Sequence, residues 1–416
     1  MRPDRLVLLG GADAESLSRQ LEELRKRASQ ASSISDPVVQ VEDTPNEERT
    51  LRVAVVAADP EELLRAAVVA TDPEELRQRL DVIAGWLREG VPDRLRAQRG
   101  IALGQARERP RIGFLFPGQG APVPSDAGAL ADLLPEAPGV YEQAKALQAA
   151  NEVPPALVQL SVVTASLAGL RALAMLGIEA DFGLGHSVGE LTALHWAGAL
   201  DEGAVLRVAR RRGEVMTDHA TAAGAMANIE ADEETFSRIV EGADVTVACF
   251  NSPRHRVVSG TSEAVEAVVE RARERDGVRV VRLRVVGAFH SPLMRDAVPL
   301  FDRYLAEEDF GQLQRPVYST ITGAELEPDA DLRALLVRQM TEPVRFLDAV
   351  EDAIEGTDLL LEVGPGRMLS GLVSEFADTP TVPLRVGHSS PQGFLTAVGA
   401  AYAVGVPVRA DRLPDA

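Results

Sequence analysis

The stretch Gly185-His186-Ser187-Val188-Gly189-Glu190 follows a short apolar run at 182–184 and precedes an apolar, helical-looking segment at 191–200. A Ser flanked by two Gly at this spacing is the pattern of a nucleophile elbow, in which a strand turns sharply into a helix and pushes the Ser hydroxyl out of the backbone. The N-terminal N–H groups of such a helix point at any oxyanion that forms beside the Ser. The competing reading is a chance GxSxG in a chain with 34 Gly. Sequence on either side has to decide between them.

The chain has 416 residues, of which 45% are hydrophobic and 25% charged. That is enough for two or three domains with a sizeable core. A net charge of −20 argues against non-specific binding to nucleic acid or to anionic membranes. The single Cys rules out an intrachain disulfide and fits a reducing cytoplasm. The first residues do not read as a signal peptide, and no apolar run reads as long enough to cross a bilayer. Basic residues cluster at Arg207, Arg210, Arg211 and Arg212, and at Arg254, His255 and Arg256. Apart from Arg212, these are expected on a solvated helix face and a solvated turn.

Residues 1–108 are charged, with Leu17, Leu21 and Leu24 at helical spacing. AVVAADPEEL at 54–63 recurs as AVVATDPEEL at 67–76. In each copy Asp suits an N-cap, Pro suits N1 and the two Glu suit the positive end of a helix dipole. The polar stretch 29–49 reads as a loop. From Arg111 the texture changes. The apolar run 112–116 stops at PGQG (117–120), as a buried strand ending in a tight turn would, and a helical stretch covers 156–176. Residues 224–286 read strand, helix, strand, strand, helix, strand, the last over 278–286, which is a ferredoxin-like order. LLLEV at 359–363 ends at GPG, and a helical stretch lies near 393–404. The expected fold is α/β: an α/β-hydrolase-like core with a parallel sheet, a ferredoxin-like small subdomain inserted in it, and a small α/β domain ahead of it. The expected divisions are 1–108, 109–223, 224–286, 287–385 and 386–416.

A Ser nucleophile needs a base. Of the six His, His186 adjoins the Ser and reads as structural, and His195 reads as packing. His219 and His388 fall in apparent loops without partners. His255 sits between two Arg, which would lower its pKa. His290, in GAFHS at 287–291 where a strand gives way to a loop, is left as general base. No HExxH, CxxC or Asp-rich pattern suggests a metal.

Taken together, GHSVGE, the upstream PGQG, the downstream Arg212-Gly213 pair and AFHS resemble the malonyl-CoA:acyl carrier protein transacylase family. More closely, they resemble the acyltransferase domains of bacterial type I polyketide synthases. The likeness covers about 110–385, and 1–108 resembles the linker that follows a ketosynthase in such synthases. Motif variants that are not the commonest modular ones extend the resemblance to iterative synthases of the enediyne type.

The resemblance implies Ser187 as acyl-accepting nucleophile, His290 as its base, and the N–H groups of Gln119 and Val188 as oxyanion hole. It implies Arg212 as the residue that binds the malonyl carboxylate, which a guanidinium can grip with two parallel hydrogen bonds. Gln159 and Asn251 (in FNSP) match further substrate-binding positions of the family, and Gln339 matches its His-orienting position. Gln339 marks where a main-chain carbonyl orients the His, so a Ser–His dyad without an acid is expected. Phe289 is expected to favour malonyl over methylmalonyl by filling the room of an α-methyl. No permanently bound cofactor is implied. Malonyl-CoA is the substrate, and the partners are a phosphopantetheine-bearing acyl carrier protein and an adjacent ketosynthase. Departures from the family pattern are Ala121 and Pro122 after PGQG, Gly287 where a His is common, and Cys249 beside FNSP, read as a buried hydrophobe. The rivals are an α/β-hydrolase-type esterase or thioesterase, for which acids between Ser187 and His290 are available, and a catalytically silent docking module.

Overall fold

The computed structural model describes residues 5–11, 13–30, 33–34, 38–39, 50–51, 64–90, 95–98, 100–148, 154–219 and 224–413. The central sheet has six strands in the order Ala324–Glu325, Val317–Ser319, Phe182–Gly185, Ile112–Phe116, Leu359–Glu362, Thr381–Pro383. Five of them run parallel, and the edge strand Ala324–Glu325 is antiparallel. Strands Ile112–Phe116, Phe182–Gly185 and Leu359–Glu362 are buried throughout, as strands covered on both faces must be. Their apolar runs are therefore continuous rather than alternating.

Helix Pro154–Met175 packs in this core beside Glu202–Asp218. Its segment Ala156–Met175 is long and apolar enough to cross a membrane, which corrects the reading that no run was. Since 72% of that window is buried inside the fold, it is a core helix.

A second sheet has the order Arg279–Arg282, Gly224–Glu230, His255–Thr261, Val245–Phe250, Val344–Arg345. Its first four strands pair antiparallel, and Val344–Arg345 joins in parallel from the later part of the chain. Helices Glu233–Val240 and Ser262–Arg273 cover one face through Phe236, Ile239, Val265, Val268 and Val269. Asp232 and Thr261 cap them, accepting hydrogen bonds from Thr235 and Ala264 N–H. The strand expected over 278–286 is only Arg279–Arg282. Leu283 N–H still reaches the Met226 carbonyl at 2.9 Å, but the partner strand starts at Gly224, so little backbone remains to pair with.

The N-terminal sheet has the order Val38–Val39, Arg5–Gly11, Leu64–Ala70, Ile101–Gln105, Arg96–Gln98. Its alternation serves two cores. Val7, Leu9, Val68 and Leu103 face helices Ala14–Gln30 and Pro73–Arg88, where Leu17, Leu21, Leu24, Leu76, Leu80 and Ile83 are buried. Leu6, Leu8, Ala67 and Val69 face the opposite way and join the main core. Helix Gln392–Val404 covers that second face, so the last α-helix among the described residues packs on the first sheet. In the second repeat copy the chain passes from strand Leu64–Ala70 to the Asp72 cap and Pro73 at N1. The first copy, 54–63, lies outside the described residues. The stretch expected as a loop at 29–49 includes two short strands, Ser33–Ile34 and Val38–Val39, the second paired with Arg5–Gly11.

Candidate functional site

Strand Phe182–Gly185 ends directly at the elbow, and helix Gly189–Trp196 starts two residues after Ser187. Ser187 takes φ +53°, a left-handed backbone that a non-Gly residue adopts only when the surroundings enforce it. Gly189 is required by close approach, because a Cβ there would lie 2.1 Å from the Phe116 carbonyl oxygen. The PGQG turn thus abuts the elbow. Neither Gln119 N–H nor Val188 N–H donates to a backbone carbonyl among the described residues.

His290 also has a left-handed backbone, φ +54°. It sits between the end of the second sheet and the short 3-10 helix Pro292–Ala297, which Ser291 caps. Its Nε2 lies 2.8 Å from Ser187 Oγ, and its Nδ1 lies 3.1 Å from the Glu342 carbonyl oxygen. An Nδ1–H donated to that carbonyl leaves Nε2 free to accept the Ser proton. Burial, with Arg212 and His186 adding to it, holds the imidazole down to about 3, so it is neutral.

Arg212 lies on helix Glu202–Asp218, capped by Asp201, and is 1% exposed. The next residue lets the helix close on its neighbour, since a Cβ at Gly213 would be 2.2 Å from the Ala156 carbonyl oxygen. That closeness brings Gln159 to Arg212, whose Nη1 donates to Gln159 Oε1 at 2.7 Å. Gln159 Nε2 in turn donates to Gln119 Oε1 at 3.1 Å. The Nε and Nη2 groups of Arg212 are buried with no partner. Burial lowers the guanidinium to about 10, with Glu190 opposing.

Ser187, His290, Arg212, Phe289, Asn251 and Gln119 line one cavity of about 770 Å³ between the two sheets, with Met216, Met226, Val257 and Leu283 among its apolar walls. Asn251 Oδ1 accepts from His186 Nε2 at 2.8 Å, which supports the structural reading of His186. Cys249 is buried on the cavity wall and its thiol is pushed up to about 12 by burial. Among the described residues no cluster of His, Cys, Asp or Glu is placed to hold a metal.

Several details depart from the expectations. The carbonyl directed at His290 belongs to Glu342, three residues beyond Gln339. The Gln339 carbonyl is near enough to favour the charged ring, but its side chain works elsewhere: Nε2 donates to the Ser187 carbonyl and to Glu190 Oε2, each at 3.0 Å. His255 is flanked by carboxylates rather than governed by its Arg neighbours, with Nδ1 2.9 Å from Glu375 and Nε2 3.8 Å from Glu230. Arg256 is not solvated. It is 7% exposed, pairs with Glu233 and lies over the Phe236 ring. His388 has a partner, accepting from Ser390 N–H at 3.1 Å. Arg207 pairs with Glu308, and both Arg210 and Arg211 pair with Glu214, so those three form the expected surface network.

Glu190 was missed as a site residue. It is 0% exposed, accepts from Ser319, Thr320 and Gln339, and is pushed up to about 7 by burial against those bonds and Arg212. A signal existed: an acid in the first turn of an otherwise apolar helix has few ways to reach water.

An elbow serine facing a neutral histidine, inside a cavity that also holds an unspent guanidinium, defines a site equipped for nucleophilic acyl transfer with selection of an anionic acyl group. Comparison with known proteins agrees. The acyl transferase domain family matches residues 123–375, and the chain belongs to that family. It is 34% identical over 285 residues to the malonyl CoA-acyl carrier protein transacylase of Bacillus subtilis (strain 168), covering 64% of this chain and 90% of that protein. It is 32% identical over 337 residues to polyketide synthase GfsB of Streptomyces halstedii, covering 74% of this chain but only 6% of that synthase. A solved acyltransferase domain of an iterative polyketide synthase in enediyne biosynthesis superposes with a TM-score of 0.77 at 33% identity, covering 99% of this chain and 98% of that one.

Proposed function

We propose that this acyltransferase moves a malonyl group from malonyl-CoA to Ser187 and then to the phosphopantetheine thiol of an acyl carrier protein. The observation that carries the reading is Arg212, a buried guanidinium with Nε and Nη2 unpartnered in the cavity of Ser187. A buried cation with spare donors asks for an anion, and a planar fork suits a carboxylate.

In the first half-reaction Ser187 Oγ attacks the thioester carbonyl while its proton passes to His290 Nε2. The tetrahedral oxyanion rests on the N–H groups of Gln119 and Val188, which carry no other backbone bond. Collapse expels the CoA thiol, which takes the proton from His290, and malonyl-Ser187 remains. The malonyl carboxylate on Arg212 also offsets one of the charges that depress His290. The carrier's thiol then attacks, and the same steps run in reverse order. Gln159 sets the guanidinium, Asn251 and Gln339 hold the frame, and Phe289 bounds the space beside the α-carbon.

The core is α/β-hydrolase-like, and the insert has the ferredoxin-like strand order 4-1-3-2, supported by its sheet arrangement. The divisions are a linker domain at 1–108, a large subdomain at 109–223 and 287–385, a small subdomain at 224–286 and a closing segment at 386–416. The chain acts as part of, or beside, a polyketide synthase carrying a ketosynthase, in the cytoplasm, without a resident cofactor.

Incubation with labelled malonyl-CoA tests the reading. Stable protein-bound label that a holo carrier protein removes is expected. Release of free malonate would mean a hydrolase, and no label at all would mean a silent docking module.

A further inference from the structure

We propose that Glu190 is a positioning residue for this reaction: its carboxylate, acting through Gln339, holds the elbow serine in line with His290. The proposal rests on the reading of Ser187 as nucleophile and His290 as base.

A carboxylate taken fully out of water is retained only where hydrogen bonds replace the lost hydration. Glu190 has them on both oxygens. Ser319 Oγ donates to Oε1, while Thr320 Oγ1 at 3.2 Å and Gln339 Nε2 at 3.0 Å donate to Oε2. Ser319 lies opposite Gly185 in the parallel pairing, and Thr320 Oγ1 shares its one proton between Oε2 and the Gly185 carbonyl, 3.0 Å away. The acid is thereby fastened to the strand end just before the elbow.

Gln339 supplies the link to the reacting pair. The Nε2 that binds Glu190 also donates to the Ser187 carbonyl at 3.0 Å. The turn that follows is tightened by Thr341 and Glu342 N–H, both donating to the Arg338 carbonyl, at 3.1 and 3.0 Å. Its Glu342 carbonyl accepts from His290 Nδ1. One short segment therefore grips the main chain of the nucleophile with a side chain and orients the base with a carbonyl. Glu190 anchors that segment from the nucleophile's own helix. The resulting ring runs Ser187, Gln339, the 339–342 turn, Glu342, His290 and back to Ser187 Oγ. Glu190 is fully buried and is not part of the cavity wall. Its effect runs through geometry, and Ser187 in a left-handed conformation has need of such support.

The test is Glu190→Gln, Gln339→Ala and the double variant, with two readouts. One is steady-state loading from malonyl-CoA. The other is the inactivation rate by phenylmethanesulfonyl fluoride, in which Ser187 Oγ bonds to sulfur, fluoride leaves and the hydroxyl proton passes to His290. This probe has neither a carboxylate nor a CoA. Each single variant should lower kcat and the inactivation rate by roughly tenfold to a hundredfold, as a small misalignment of reacting groups does, with KM within about twofold. The double variant should fall no further than the worse single one, because both act through one link. Unfolding midpoints in urea establish that the variants are folded. Should Glu190→Gln not fold, Thr320→Val removes one donor to the same carboxylate and should slow both reactions in the same proportion. Wild-type rates in folded Glu190→Gln, or losses that multiply in the double variant, overturn the proposal. A wild-type protein inert to the probe would instead overturn Ser187 as nucleophile.

Discussion

Removing the Arg212 guanidinium should change which acyl group the site accepts. The side chain is 1% exposed, with Nη1 held by Gln159 and the Nε and Nη2 donors unpartnered. A malonyl carboxylate that enters finds those two donors; in Arg212→Ala it finds none. Deleting one partner of a buried ion pair costs about 3–5 kcal/mol. At about 1.4 kcal/mol per tenfold, that is a loss of roughly two to four powers of ten in kcat/KM for malonyl-CoA. Acetyl-CoA has no carboxylate to strand. Removing Arg212 also removes a charge that depresses His290, so acetyl loading should hold or rise. The loss of the cation leaves Glu190 buried without it, but the Ser319, Thr320 and Gln339 donors still hold its carboxylate in place. Arg212→Lys should rescue little, because a point charge cannot reproduce the planar fork. The assay is the malonyl-to-acetyl ratio of kcat/KM in wild type and both variants, with urea midpoints to establish folding. A ratio unmoved by Arg212→Ala would refute the reasoning and assign the carboxylate to another residue.

Three further predictions rest on the same site. Malonyl-CoA should outcompete methylmalonyl-CoA by roughly tenfold to a hundredfold in kcat/KM, the range one methyl group supports, and Phe289→Ala should narrow the gap; equal loading by the wild type would mean that Phe289 does not police the α-carbon. Because His290 is held down to about 3, it should contribute no acid limb to Ser187 acylation; a limb near 7 belongs to Glu190 and should vanish in Glu190→Gln. The sign for stability follows from the same depression: the unfolded chain protonates this His below 6.5 and the folded one does not until about 3, so its contribution, complete above 6.5, falls as pH drops through that window. Glu190 acts oppositely between 4.5 and about 7, where the folded state holds more protons, so His290→Gln should unmask a loss of stability with rising pH in urea titrations.

The sequence made parts of this fold legible and hid others for physical reasons. The elbow was legible because Gly185 and Gly189 are forced by backbone proximity, which leaves a residue-level mark. The inserted sheet was legible because its strands and helices alternate at separate periods and its caps are Asp232 and Thr261. The role of the last helix was not, because an apolar stretch reads the same whether it covers a neighbouring sheet or one several hundred residues back in the chain. Helix Pro154–Met175 shows the same ambiguity, carrying little apolar asymmetry because most of it is buried. Within the site, Ser187, His290 and Arg212 came from motifs. Glu342 did not, because it contributes a main-chain carbonyl, for which any residue serves. His255 was misread because Arg254 and Arg256 were taken as its neighbours in space, whereas Glu375 and Glu230 face it, and Arg256 was misread as solvated because its contacts with Glu233 and the Phe236 ring arise only from tertiary packing.

The central claim is a covalent malonyl-Ser187 that a carrier protein empties. Its most direct test is mass spectrometry of the protein after brief exposure to malonyl-CoA, with peptide mapping, repeated on Ser187→Ala and after addition of holo acyl carrier protein. One malonyl group on the peptide containing Ser187, absent from the variant and transferred to the carrier's phosphopantetheine thiol, is the predicted result. Malonylation of Ser187→Ala at near wild-type level, or an unmodified wild-type protein that still loads the carrier, would contradict it.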